Sequence, residues 1–337
     1  MFLPVLLIHR YGLLGFLIFT IPNIIGCTAF GYVVRTPERS KALVAKYKSA
    51  MSLFAIVTIA FHLFFIAMLT GTPTHIWIPF AVLFAGGCLA FLPIRWWPIL
   101  AVFLWLFSVY VGVTLLPLEP ITEGEMPWQD AIWLLPITTF GFFLSPYLDP
   151  TFHRAIQCSP SKHSFVVFGV SFAIMIGVTC LYQNSILESA TMLIGLHLLL
   201  QTIFTVGAHI KEGLHIESPN KKWLFVVLGI VGSMIAIGIA YRTQEVTEVS
   251  LNDYLRFFVF YGLIFPALVA TFMLTGRRFT PIRVSLFVLV ALFSLPLLEI
   301  GYLGGQAWLT VLPVVVFLTW AFADRKCCDN RDTQGCD

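Results

Sequence analysis

Eleven apolar stretches, each of about 17 to 24 residues and so able to cross a roughly 30 Å hydrocarbon core as a helix, recur along this chain and leave it few other ways to fold. They run from Tyr11 to Val34, Ser49 to Thr70, Ile76 to Pro93, Trp97 to Leu116, Asp130 to Leu148, Ser164 to Tyr182, Glu188 to Ile210, Lys222 to Tyr241, Asp253 to Thr275, Arg283 to Ile300 and Gln306 to Ala323. With 58% of 337 residues hydrophobic and 11% charged, there is too little polar surface to coat a soluble domain of this size. The pattern predicts an all-α, polytopic membrane protein of about eleven transmembrane helices, one domain over residues 1–323 with a tail at 324–337. The weakest boundary is Leu92 to Pro98, where the third and fourth spans also read as one broken hairpin. Met1 to Ile8 is too short for a secretory signal and has no basic residue ahead of it, so it reads as an interfacial or incomplete segment.

Loop charge then sets an orientation, because cytoplasmic loops retain Lys and Arg. With the amino terminus outside, 17 of the 20 Lys and Arg fall inside, all but Arg10, Arg242 and Arg256. This predicts a protein of the plasma (inner) membrane with a cytoplasmic carboxyl terminus. The net charge of +3 is a topology signal and implies no nucleic-acid partner. Cys27, Cys88 and Cys180 lie within spans as small apolar residues, Cys158 sits at a span end, and Cys327, Cys328 and Cys336 occupy the tail. A solvated tail is the expectation there, with acylation of Cys327 and Cys328 as the alternative.

The fifth span carries the strongest chemical signal. Between Gly141 and Lys162 it is broken by Pro146 and Pro150, with Asp149, His153 and Arg154 beside the break. Proline removes a backbone donor, so carbonyls near it need partners other than lipid, and a charge at membrane depth is costly enough to mark a site by default. Discontinuous helices of this kind form ion and substrate sites in many secondary transporters. The expected substrate-binding residues are Ser145, Pro146, Tyr147, Asp149, Phe152 and His153: Asp149 holding a cation or an amine, exposed carbonyls before the two prolines coordinating it, and His153 or His209 exchanging protons. A structural alternative pairs Asp149 with Arg154.

In the seventh span His197, Gln201, Thr205 and His209 follow one another at four-residue spacing, with Thr202 at the edge. On a 3.6-residue helix this makes one slowly winding polar stripe, read either as an ion or proton path or as interhelical hydrogen bonding. His62 is a lone histidine in an apolar span and reads as hydrogen-bonded and structural; a haem or copper held by His62, His197 and His209 is the alternative, with no ligand-spacing motif behind it. Glu299 reads as a snorkelling residue or a gate, and Gly229 with Ser233, and Ala236 with Ala240, as faces for close helix approach. The absence of a GxSxG, HExxH or Walker-type signature argues against an enzyme.

Phe152-His-Arg-Ala-Ile-Gln-Cys-Ser-Pro-Ser-Lys162, followed by a span containing Gly and Ser, resembles the sodium:solute symporter family, where a broken helix runs into a Gln-Arg and Lys-Ser-Pro-Lys stretch. Gln201-Thr-Ile-Phe-Thr-Val-Gly-Ala-His-Ile-Lys-Glu212 is similar to that family's Ser/Thr-rich helix, and the two matches keep the family's order. The resemblance implies a divergent member of the amino acid-polyamine-cation superfamily, a leucine-transporter-like bundle of two inverted five-helix repeats, with Thr202 and Thr205 at the positions of a sodium site. Only four complete spans precede the broken one, so the family's other discontinuous helix is absent or reduced to Met1 to Ile8, and Leu200 and Gln201 replace its adjacent serines. The expected function is secondary transport of a small polar or organic solute coupled to sodium ion or protons, with no other cofactor. A non-transporting sensor or scaffold subunit is the second reading and a haem or metal protein the third; the expected partners are lipid, a solute, and a partner subunit or second copy.

Overall fold

The computed structural model describes residues 3–71, 73–114, 124–159, 161, 163–178, 191–242, 248–277 and 279–332. Among the described residues every regular element is helical, with no strand. The elements are α1 (Leu3–Val34), α2 (Pro37–Thr70), α3 (Trp77–Ala90), α4 (Trp97–Thr114), α5 (Trp128–Leu144), α6 (Pro150–Cys158), α7 (Ser164–Val178), α8 (Thr191–Ile216), α9 (Lys222–Tyr241), α10 (Glu248–Val259), α11 (Phe265–Leu268), α12 (Pro281–Tyr302) and α13 (Val311–Asp332). Two π-helical turns, Phe260–Ile264 and Val269–Met273, flank α11 and join it to α10 in one wound segment.

Seven of these helical segments are long and apolar enough to cross a membrane, or eight if the pair Trp128–Tyr147 and Pro150–Cys158, bent by 55°, makes one span. Three further apolar helices, Trp77–Ala90, Ser164–Val178 and Ala307–Ala323, are shorter. The chain therefore fits a membrane-embedded all-α protein, while the count of eleven crossings is not reached by length alone. The perimeter has the surface such a setting demands: Phe84, Phe91, Ile282 and Phe293 are all at least 73% exposed.

The bundle has a centre and a rim. In α2, 67% of the apolar window is buried, against 22% in α4, so α2 is a core helix and α4 a peripheral one. Helix α2 packs on α8 and α9, and α1 packs on α5 and α7. The α9 face expected from its small residues is in place, with Gly229, Ser233, Ala236 and Ala240 all buried.

Several boundaries differ from the sequence expectations. The segment expected at Met1 to Ile8 is described from Leu3 as the first part of α1: its turns are buried, and Gly12 (φ 62°, ψ −153°), in a conformation that only glycine adopts cheaply, divides this short helix from the rest. The break frees carbonyls, and a neighbouring loop takes them up: the Glu125 and Met126 amides donate to the His9 and Arg10 carbonyls at 3.3 and 2.8 Å. Gly124 lies so close to Tyr11 and Gly12 that a Cβ there would collide with backbone. Helix α2 begins at Pro37, capped by Thr36, and bends at Tyr47. Helix α8 continues beyond Ile210 to Ile216, and the expected tail is helical to Asp332. The span ends at Leu116, Tyr182 and Glu188, together with Lys162, Cys180 and Cys336, lie outside the described residues.

Candidate functional site

The broken helix is built around two prolines and one glycine. Pro146 cannot donate to the Phe142 carbonyl, and α1 covers that spot with Gly26, which sits so near Phe142 that any Cβ would strike its carbonyl. Helix α5 gives way to the 3-10 turn Ser145–Tyr147, and α6 starts at Pro150 with Asp149 as its cap. The Asp149 carboxylate accepts the Thr151 amide at 2.8 Å and the Thr151 hydroxyl at 2.6 Å, as a helix N-cap should.

The break is tied to two other helices. The Ser145 hydroxyl donates to the Tyr261 carbonyl at 2.9 Å, inside the first π turn, and Gly141 lets that turn approach α5 closely. Tyr261 in turn donates its phenol to Thr58 Oγ1 on α2 at 2.9 Å. On the other side Phe30 of α1, fully buried, receives the rings of Tyr147, Phe152 and His153 at centroid distances of 5.3, 5.6 and 5.1 Å. Phe30 gave no signal in the sequence, being one phenylalanine of 32.

The carbonyls expected to face a ligand each accept one amide of the chain. Ser145 O accepts the Leu148 amide at 3.0 Å, Pro146 O accepts the Asp149 amide at 3.3 Å, and Asp149 O accepts the His153 amide at 3.4 Å. His153 Nε2 donates to Tyr147 O at 3.0 Å while its Nδ1 meets the Ser40 hydroxyl at 3.0 Å, so both ring nitrogens are satisfied in the neutral form. His153 thus braces the break, whose Ser145, Pro146 and Asp149 carbonyls each accept one amide of the chain itself.

Asp149 does not pair with Arg154. Arg154 Nε donates to the Glu212 carboxylate of α8 at 2.9 Å, and Asp149 Oδ1 instead lies 3.6 Å from His209 Nε2. Both side chains are well buried, His209 at 6% and Asp149 at 13% exposure. His209 Nδ1 donates to the Thr205 carbonyl at 2.9 Å, its ring stacks on Phe54, and its buried Nε2 makes no hydrogen bond. Glu212 follows His209 by three positions on the same face of α8, the one sequence clue to its role.

The two ends of the polar stripe of α8 meet different partners. At its upper end the Ser108 hydroxyl of α4 meets His197 Nε2 at 2.7 Å and the Gln201 amide at 3.0 Å, an interhelical contact that leaves the buried His197 Nδ1 without a hydrogen bond. At its lower end His209 faces Asp149. Between them Gln201, Thr202 and Thr205 line a cavity of about 60 Å³ together with His62 and Tyr254. His62 Nδ1 donates to Thr58 O at 2.8 Å. A larger cleft of about 350 Å³ lies between α6 and α7, lined by Thr151, Phe152, Phe165 and Phe168. Asp149 and His209 line neither space themselves, but Asp149 bonds Thr151, which lines the cleft, and His209 bonds the carbonyl of Thr205, which lines the cavity.

At the opposite end Glu299 neither snorkels freely nor stands alone. It receives two donors from Arg256, which also bonds Asp253 at 2.7 Å, and Arg242 closes the set on Asp253 at 2.7 Å. Among the described residues no three His, Cys, Asp or Glu side chains converge as ligands of a metal ion would. No family model matches this chain, and no curated protein or solved structure matches it.

Proposed function

We propose that this chain is a secondary-transporter-like membrane protein that moves a small polar or organic solute coupled to an ion or proton. The observation that carries the reading is the buried Asp149–His209 pair, set at a helix break, with Asp149 bonded to Thr151 of a cleft of about 350 Å³ and His209 to Thr205 of a cavity of about 60 Å³. A charged pair at that depth is expensive to maintain and marks a functional position by default. The larger cleft is within the size range of small-molecule sites, roughly 300–1,000 Å³, and is mostly apolar with a few polar groups. In this reading Thr151 and Phe152 contact the solute, Asp149 and His209 sense it, and eleven crossings place the amino terminus outside and the Lys/Arg-rich end in the cytoplasm. The sodium:solute symporter resemblance stays a proposal, resting on the segment order.

A sensor or scaffold is the second reading, and one observation favours it: the Ser145, Pro146 and Asp149 carbonyls at the break each accept an amide of the chain itself. Purified protein screened by thermal melting against amino acids, sugars, nucleosides, amines and carboxylates, followed by uptake into liposomes, separates the two. Uptake of a compound that raises the melting temperature supports transport. Stabilisation by a compound that is never taken up supports sensing.

A further inference from the structure

His209 Nδ1 points at the Thr205 carbonyl, which has no hydrogen to give, so Nδ1 carries a proton. In the neutral tautomer this leaves Nε2 with a bare lone pair, and what it faces at 3.6 Å is Asp149 Oδ1, which already accepts two donors from Thr151. Two acceptors would then be held against each other in a buried site. One added proton turns the contact into an attractive charge-assisted pair. We infer that the Asp149–His209 pair is a binding site for a single proton, and that the coupling ion of the proposed transport is that proton rather than sodium.

The surroundings fit a proton and little else. His209 is faced by Asp149 from the α5–α6 break, by His62 from α2, and by Glu212 on its own helix, with Glu212 held by Arg154. Asp149 is within electrostatic reach of Cys27 on α1, His153 on α6 and Tyr261 in the π turn, none of which is a fixed cation. The cavity lined by Thr205, whose carbonyl holds His209 Nδ1, is about 60 Å³; it admits a few water molecules at roughly 10–15 Å³ each and excludes an organic solute. His62, which lines it, donates through Nδ1 to Thr58 and so keeps Nε2 as an acceptor for a proton passing through. A sodium ion would need several oxygen ligands in one place, and the Ser145, Pro146 and Asp149 carbonyls at the break already accept one amide each.

This inference rests on the transport reading for its purpose but not for its test. Melting of the full-length protein in nanodiscs, from pH 5 to pH 9 in potassium and in sodium buffers, reads the proton directly. Wild type is expected to lose several degrees as pH rises, equally in both buffers, and Asp149→Asn and His209→Gln to flatten the curve. An unchanged pH slope in both variants overturns the proposal, as does a sodium-specific stabilisation that the variants abolish. Where a variant does not fold, nitrogen-15 histidine spectra of wild type serve: one imidazolium among the eight histidines at pH 7.5 supports the site, and none overturns it. Solute uptake that proceeds while the pair shows no titration sinks this inference and leaves transport standing. Titration without uptake of any solute does the reverse.

Discussion

His209 Nε2 lies 3.6 Å from Asp149 Oδ1, joining a histidine in the lower part of α8 to the residue that caps α6. The contact connects a continuous helix to a broken one, so any change in its charge acts on the angle between α5 and α6 as well as on the pair.

Asp149 has two roles that one substitution separates. Asn caps a helix about as well as Asp, so Asp149→Asn keeps the Thr151 bonds and removes only the charge, whereas Ala removes both. Asp149→Ala is therefore expected to be about 1 kcal/mol less stable than Asp149→Asn. Chemical denaturation of the two variants checks this; equal stabilities would mean the cap contributes nothing.

Arg154 and Glu212 form the second charged contact between α6 and α8, with Glu212 at 7% exposure. Arg154→Ala leaves that carboxylate buried without its cation, and a loss of about 3 kcal/mol is expected. Arg154→Met with Glu212→Leu should recover most of it. A double variant as unstable as the single one would show that packing and not charge holds this junction.

Gly26 supports the break from the α1 side. Because a Cβ there meets the backbone carbonyl of Phe142, which cannot swing away, Gly26→Ala should cost about 1–3 kcal/mol. Gly87→Ala, at a position open to space, should cost a few tenths at most and serves as the control. Similar melting of the two variants would remove the close approach of α1 to α5.

The charge cluster at the other end behaves differently. Arg256 and Glu299 are 45% and 46% exposed, so Glu299→Gln should change stability by less than about 1 kcal/mol, and less still at high salt. A loss as large as that of Arg154→Ala would mean that this end is far less solvated than its exposure indicates.

Much of this could be read from the chain. Two prolines four residues apart at the end of a membrane-length apolar run announced the break, and four-residue spacing announced the α8 stripe, because both are local properties of a helix. What could not be read were partners. Whether Asp149 meets Arg154 five residues away or His209 sixty residues away depends on how α6 packs on α8, which no local pattern encodes. The interruption of α1 was hidden for a related reason: Gly12 is one glycine at the start of an apolar run, and the carbonyls its positive φ frees are met by the distant loop at Glu125 and Met126. The different partners of the stripe's two ends likewise depend on Ser108, an ordinary serine in α4 until the helices pack.

The central claim is that Asp149 and His209 act as one proton-dependent unit, and a double-mutant cycle measures it most directly. Stabilities of wild type, Asp149→Asn, His209→Gln and the double variant are compared at pH 6 and pH 9. A coupling of roughly 1–3 kcal/mol at pH 6 that falls towards zero at pH 9 is the predicted result. Additive effects at both pH values would contradict it.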